Sequence, residues 1–416
     1  MPGGLWRDRT FVLFLVIQTA SFAGDTFTTV ALPLLVLQAT GSVVQMGLLT
    51  GTIGLAWLVT GVFAGAVVDG FDRRVIMIGC DVARAVLYGV VPLVWLVDPQ
   101  LWVLYAVMPF GAAVGMLSQV TYVTAIPSLV GRDRLTEANG AMNASSAAAG
   151  IGGPLLAGIV AGLLGPAAAI GIDAVTFALA AVGMLFVRLR RMQEPSRTPA
   201  GRAVPWRGVA VGARFLWQHP ALRTLTLLLG GVLFVTYGLT DVFIYRIRHD
   251  LDQPSSVVGI ALAVAAVGTI LSGIAVAALR RRLGFGACWI GSYAVGGLAI
   301  VLLGRTAALP LLAALVAVFV FCEGVAGTCS MSLRQQVTPD ALLGRVTSAF
   351  WTLHFLPGPA GAVLLTAAVK AYGVPAATLV AGVGLLLIAG VATFSPIRDR
   401  EPGRAVPTAL PAPSRS

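Results

Sequence analysis

Gly65-Ala66-Val67-Val68-Asp69-Gly70-Phe71-Asp72-Arg73-Arg74-Val75 lies between two long apolar runs, one beginning near Ser42 and the other ending near Val97. Four of the six residues from 69 to 74 are charged. Hydrocarbon offers such groups no solvation, so the turn marks a place where the chain leaves a membrane. Its two arginines indicate on which side.

The rest of the chain supports a membrane reading. Of 416 residues, 57% are hydrophobic and only 11% are charged, against about 25% charged in soluble domains. Mean hydropathy is +0.90. The fold class expected is an all-α polytopic membrane protein embedded in a lipid bilayer. The net charge of +11 does not indicate nucleic-acid binding, because the basic residues are dispersed among the gaps between apolar runs. Lys370 is the one lysine among 28 basic residues, a usage that suggests a GC-rich bacterial genome. Cys80, Cys288, Cys322 and Cys329 lie in or beside apolar runs and read as small buried hydrophobes. Arg7 and Arg9 lead into a run too long for a signal-peptide core, so the first helix is expected to stay.

A spanning helix needs about 20 apolar residues. The runs give twelve spans, near 11–37, 43–68, 74–97, 101–125, 140–164 and 167–189, then 221–247, 256–279, 285–304, 308–331, 344–369 and 373–395. With the N-terminus in the cytoplasm, 23 basic residues fall on the cytoplasmic side and 4 on the other, with Arg84 inside a span. The positive-inside rule therefore puts both termini in the cytoplasm. Residues 1–190 and 221–395 read as two six-helix bundles. Residues 191–220 read as a cytoplasmic linker that Pro195, Pro199 and Pro205 keep from being one helix. Residues 396–416 read as a disordered tail. A shift of 207 residues lays Arg73-Arg74 on Arg280-Arg281 and Val130-Gly131-Arg132-Asp133 on Val337-Thr338-Pro339-Asp340, as an internal parallel repeat does.

At this point the chain resembles the major facilitator superfamily. The opening stretch is similar to the signature Gly-x-x-x-Asp-Arg-x-Gly-Arg-Arg between the second and third helices of that family. Gly65, Asp69, Arg73 and Arg74 match, whereas Gly70 replaces an Arg and Asp72 a Gly. The variant Asp-x-Phe-Asp-Arg-Arg resembles the branch holding macrolide-efflux proteins and a siderophore exporter, as do Arg334-Gln335-Gln336, Pro339-Asp340 and Gly344-Arg345-Val346. In the fifth span, Gly140, Ala149, Gly153-Pro154 and Ala157-Gly158 resemble a drug:proton antiporter motif with two glycines replaced by alanine. Small residues of this kind also serve simple helix packing. The resemblance implies export, with a cavity lined mainly by spans one, four, seven and ten. The arginine that many such antiporters carry in the fourth span is absent from Trp102–Ala125.

An ionisable residue inside a span is a functional candidate. Asp25 lies roughly 21 Å along the first span at 1.5 Å per residue, with Thr28 and Thr29 as structural partners if its role is packing. Glu323 lies within the tenth span, about 16 Å of helix from Arg334. Asp241, near the outer end of the seventh, has Arg246 and Arg248 close in sequence. These three are the candidates for proton coupling or cargo recognition. Asp173 reads as shallow and solvated, and His354 as a hydrogen-bonded packing residue. Asp81 and Arg84, three apart on one helix face, read with Gly65, Asp69, Asp72, Arg73 and Arg74 as a cytoplasmic latch. Phe22, Thr26, Met116, Gln119, Tyr122, Phe234, Tyr237 and Met331 are candidate cavity residues.

No phosphate-binding loop or metal-ligand spacing is present in the sequence, so neither an enzyme nor an ATP-driven pump is expected. The expectation is a monomeric transporter of the bacterial inner membrane, without a cofactor. It would export a hydrophobic or amphipathic small molecule in exchange for protons. Proton-coupled uptake on the same fold is the alternative, and a non-transporting receptor a further one.

Overall fold

The computed structural model describes residues 5–130, 134–187, 205–339 and 342–402. The described residues are helical almost throughout. The helices are α1 (Arg9–Thr40), α2 (Val43–Gly70), α3 (Arg73–Val97), α4 (Leu101–Leu129), α5 (Leu135–Leu163) and α6 (Pro166–Met184). There follow α7 (Pro205–Gln218), α8 (Pro220–Thr236), α9 (Leu239–Tyr245), α10 (Ser255–Leu283), α11 (Phe285–Leu303), α12 (Leu309–Val337), α13 (Leu343–Phe355) and α14 (Gly358–Thr393).

Eleven helical stretches among the described residues are long and apolar enough to cross a membrane. The last of them runs 51 residues, from Leu343 to Thr393. It reverses at Gly373, whose φ of 81° is a left-handed backbone open to glycine at little cost. It therefore supplies two crossings, which accounts for twelve. α8 and α9, separated by Tyr237-Gly238, with the short π-helical turn Arg246–Asp250, make one broken span from 220 to 250.

Polar residues set the helix ends. Asp8 caps α1 and Ser42 caps α2. The Asp72 carboxylate accepts from Arg74 N at 2.8 Å and Val75 N at 3.4 Å, so α3 starts immediately after it. Arg74 then donates to the main-chain oxygens of Met184, at 3.1 Å, and Leu185. Its guanidinium thus meets the orphan carbonyls at the end of α6, where a cation is favoured.

α6 packs on α1, α3 and α5, α1 on α5, and α4 on α2 and α3; in the other half α10, α11, α12 and α14 pack together with α8 and α13. Two seams join the halves, α5 with α10 and α2 with α14. Both seams are tight at the membrane face where α1 passes to α2. A Cβ on Gly158 would stand 2.5 Å from Gly259 Cα, and one on Gly51 would stand 3.0 Å from the Pro359 main-chain oxygen. At the opposite face Gly65, Gly70, Gly140 and Gly150 have nothing within 4 Å of such a Cβ. The halves therefore meet at one face and stand apart at the face that carries Arg73 and Arg74.

Three features depart from the sequence reading. α7, a 14-residue amphipathic helix, occupies the end of the linker and packs on α13; Pro205 begins it, at the position where proline fits a helix. Pro195 and Pro199 lie outside the described residues. The start of the tail is ordered: Arg400 O and Asp399 O accept from Phe285 N and Gly286 N at 3.1 Å. The Arg pairs joined by the 207-residue shift hold different places, since Arg73-Arg74 open α3 whereas Arg280-Arg281 close α10. Helix starts nonetheless repeat, with Val43 and Ser255 212 residues apart and Leu101 and Leu309 208 apart.

Candidate functional site

Between the halves lies a cavity of about 610 Å³, bounded by α1, α2, α3, α4 and the broken α8–α9 span. Its floor carries charge. Asp25 of α1 and Arg84 of α3 form an ion pair, with Arg84 side-chain exposure of 9% and Asp25 of 39%. The Arg84 guanidinium lies 3.7 Å from the ring centroid of Phe177 and 5.8 Å from that of Tyr88, a placement that supports a cation. Asp173 of α6 is fully buried beside this pair. It accepts from Thr28 Oγ1, and from Thr176 Oγ1 at 3.4 Å. Asp81, one turn before Arg84 and 3% exposed, keeps one carboxylate oxygen without a hydrogen-bond partner.

Small residues make this cluster possible. A Cβ on Gly24 would fall 2.6 Å from Asp173 Oδ1, so the glycine admits the α6 carboxylate to α1. On α4, a Cβ on Gly111 would be 2.8 Å from the Tyr88 hydroxyl, and one on Gly115 would be 3.7 Å from Arg84 Cζ. Arg84 of α3, beside Gly115 of α4, lines the cavity, although Trp102–Ala125 itself carries no arginine.

Asp241 faces the same cavity from the other half, 2% exposed. Thr50 of α2 lines the cavity with it, and Asp241 keeps Oδ2 without a hydrogen-bond partner. Tyr237, four residues earlier, presses its hydroxyl on Gly54: a Cβ there would be 2.6 Å away. Arg246 and Arg248 do not serve Asp241. Arg246 pairs with Asp250 at 2.8 Å, and Arg248 donates to Gln253 O.

The placement of other predicted residues differs. Arg84 belongs to the cavity and not to the latch, because one α3 face carries Asp81, Arg84 and Tyr88 inward while Arg73 and Arg74 sit at the membrane face. Asp25 does not take Thr28 or Thr29 as side-chain donors: Thr28 serves Asp173, and Thr29 Oγ1 donates to Asp25 O at 2.9 Å. Asp173 is not solvated: α6 packs on α1 and α3, and the carboxylate is fully buried. Glu323 is absent from the cavity wall and lies near Tyr293 of α11. Arg334 stacks on Phe350 at 3.7 Å and donates to Met331 Sδ at 2.8 Å. His354 stacks on Phe350 at 5.4 Å. Met116 packs against Gly61, and Phe234 and Met331 are more than a third exposed, all off the cavity. Phe22, Gln119, Tyr122 and Tyr237 do line it. Thr26 faces a second cavity and, with Gly153, the α1–α5 contact. Gly65 and Gly140 stand open, Gly158 lies in the tight seam, and Pro154 presents its carbonyl to Gly259. The Asp69 side chain and residues 131–133 lie outside the described residues.

Sequence reasoning passed over Arg84 and Asp173 as cavity groups. One signal was available: Arg84 lies deep within the third predicted span, ten residues beyond its start at 74, and such a residue needs an anionic partner.

A family model, Major Facilitator Superfamily, matches residues 14–362. The chain belongs to the Major Facilitator Superfamily. Among its relatives is the multidrug efflux pump Tap of Mycolicibacterium fortuitum, 28% identical over 395 residues, covering 92% of this chain and 95% of that one. The enterobactin exporter EntS of Shigella dysenteriae serotype 1 (strain Sd197) is 26% identical over 367 residues, covering 86% and 85%. Among solved structures, the nucleoside transporter NupG superposes with a TM-score of 0.74 at 14% identity, covering 93% of this chain and 98% of that one. A bacterial homologue of the human lysosomal transporter Spinster, inward-facing and unoccupied, gives 0.73 at 16% identity, covering 94% and 97%. Both likenesses show a shared fold. The protein is accordingly a multi-pass membrane protein of a transporter family.

Proposed function

We propose that this protein exports amphipathic, cation-bearing small molecules across the bacterial inner membrane by proton antiport. Both termini would be cytoplasmic, so the open face of the cavity is the cytoplasmic one and the chain is poised to load cargo. The observation that carries the reading is the charge cluster on the cavity floor. Three carboxylates, Asp25, Asp81 and Asp173, share the single guanidinium of Arg84. A fully ionised cluster would hold two uncompensated negative charges away from water, which is costly. Two bound protons, or one proton and one cationic cargo group at the half-exposed Asp25, restore neutrality. Cargo and proton then compete for one charge deficit, which is the requirement for exchange. Alternating access would rock the halves about the cavity, opening the Gly158–Gly259 seam as the Arg73 face closes. The drug and siderophore exports named for its relatives point the same way.

Proteoliposomes test this. With an acid interior, a cationic dye should accumulate against its gradient and alkalinise the lumen, and D25N should abolish both signals. Dye and protons moving in the same direction would replace antiport with symport. Dye movement indifferent to the proton gradient would sink the coupling altogether. The working unit would be one chain, since one chain by itself forms the cavity and the charge cluster.

A further inference from the structure

A second cavity of about 480 Å³ opens beside the first, between α1, α4 and α5. The two share Phe22, Gln119 and Tyr122 as a common wall. Its chemistry differs from that of the charged floor. Asn139, Asn143, Ser146 and Gly150 follow one another at spacings of four, three and four residues, so they lie on one face of α5. All four line this cavity, with the Gln119 amide opposite. No carboxylate, lysine or arginine lines it. Among the described residues, Gln119, Asn139 and Asn143 make no side-chain hydrogen bond.

All three amides are exposed to this cavity, so their donors and acceptors are free to pair with water or with a ligand. Packing does not require this stripe: α5 meets α1 through Thr19–Ser145 and Thr26–Gly153, and meets α10 through Gly158. An uncharged hydrogen-bonding wall with apolar Phe22, Met142 and Ile126 around it fits a ligand segment bearing hydroxyl, carbonyl or amide groups on an apolar frame. Such amides offer both donors and acceptors. They reject a bare hydrocarbon by being left unpaired.

We propose that the Asn139–Asn143–Ser146 face, with Gln119, is a cargo subsite for uncharged, hydrogen-bond-rich groups. Cargo would bridge both cavities, with its cationic or apolar part toward Asp25 and its hydroxyl- or amide-bearing part on α5. This rests on the exporter reading of the central cavity, and it adds a substrate class to that reading.

The test uses two cations on the full-length protein. Puromycin carries hydroxyl and amide groups, whereas tetraphenylphosphonium carries none. Binding to purified protein is measured by calorimetry, and transport in proteoliposomes. The double variant Asn139→Leu/Asn143→Leu should weaken puromycin binding and raise its KM about 5- to 100-fold, the worth of two hydrogen bonds. Tetraphenylphosphonium should change less than about twofold on the same scale. Asn143→Ser, which keeps a hydroxyl, should recover part of the loss. Equal losses for both probes would reassign this face to closure of α5 on α10 and overturn the subsite. Unaltered puromycin binding, or no puromycin binding by the original protein, would overturn it too. If selective binding loss is seen but the original protein moves neither probe, the subsite stands and the exporter reading fails.

Discussion

Removing Arg84 should harm the protein far more than removing its partner Asp25, although the two form one ion pair. In Arg84→Met, three carboxylates lose the guanidinium they share, and the Phe177 ring loses a cation at 3.7 Å. Breaking a buried pair by deleting the partner costs about 3–5 kcal/mol, and the cation–π contact adds roughly 0.5–2 kcal/mol. Protonation of the stranded carboxylates returns part of this, so a net loss of about 3–5 kcal/mol is expected. In Asp25→Asn the guanidinium keeps Phe177, the field of Asp173 and Asp81, and an amide oxygen to donate to. Asp25 is moreover the more exposed member, at 39% against 9%. Its loss should cost about 1 kcal/mol, the worth of one hydrogen bond. Unfolding in mixed micelles of SDS and neutral detergent, followed by tryptophan fluorescence, gives both values and that of the double variant. The cycle should show coupling of about 1–3 kcal/mol. Equal losses in the two single variants, or strict additivity in the double, would refute the shared-cation argument.

Other consequences follow from single contacts. Gly158→Leu and Gly259→Leu would drive side chains into facing backbone, which cannot yield as a flexible side chain can. Each should therefore hold the seam open and slow transport about 5- to 150-fold, since an overpacked contact costs typically 1–3 kcal/mol. In a background without the four native cysteines, Ile53→Cys should then become reactive to a membrane-impermeant thiol reagent from the outside; no gain in reactivity would count against the seam as the closed gate. Asp72→Ala removes the α3 cap and should cost about 0.5–2 kcal/mol, while Asp72→Asn should cost little; thermal unfolding of both variants separates capping from net charge. Arg334, 2% exposed with Nε and one terminal nitrogen unpartnered, has no carboxylate partner among the described residues. Arg334→Leu should be neutral or stabilising to heat by up to about 4 kcal/mol, and a large loss would show that the buried cation has an anionic partner.

The membrane class and the twelve crossings were legible because hydrocarbon imposes them segment by segment. Each span must be apolar over a fixed length whatever its neighbours are, and each turn must hold the charges that the bilayer rejects. The helix starts repeat across the halves for the same reason. Asp25 was legible as an ionisable residue within a span. Its partner was not, because which residue it meets depends on how α3 rotates toward α1. A spacing of three put Asp81 beside Arg84, but it did not reveal the ion pair that Arg84 makes with Asp25. Arg84 also reaches Asp25 on α1, a partner that no local pattern encodes. Asp173 misled by depth: its position along α6 suggests solvent, yet packing of α6 on α1 and α3 covers it completely.

The turn from Gly65 to Val75 keeps its sequence meaning, since Asp72 starts a helix and the charges mark a membrane face. Only the tertiary structure fixed what that turn touches, with Arg74 capping the far end of α6. The division is physical. Transfer of each segment between water and hydrocarbon is a local free energy and can be read residue by residue. Which guanidinium neutralises which carboxylate, and which face of α5 borders a cavity, depend on helix rotation and on glycines that admit close approach. Those quantities belong to pairs of helices brought together by the whole fold.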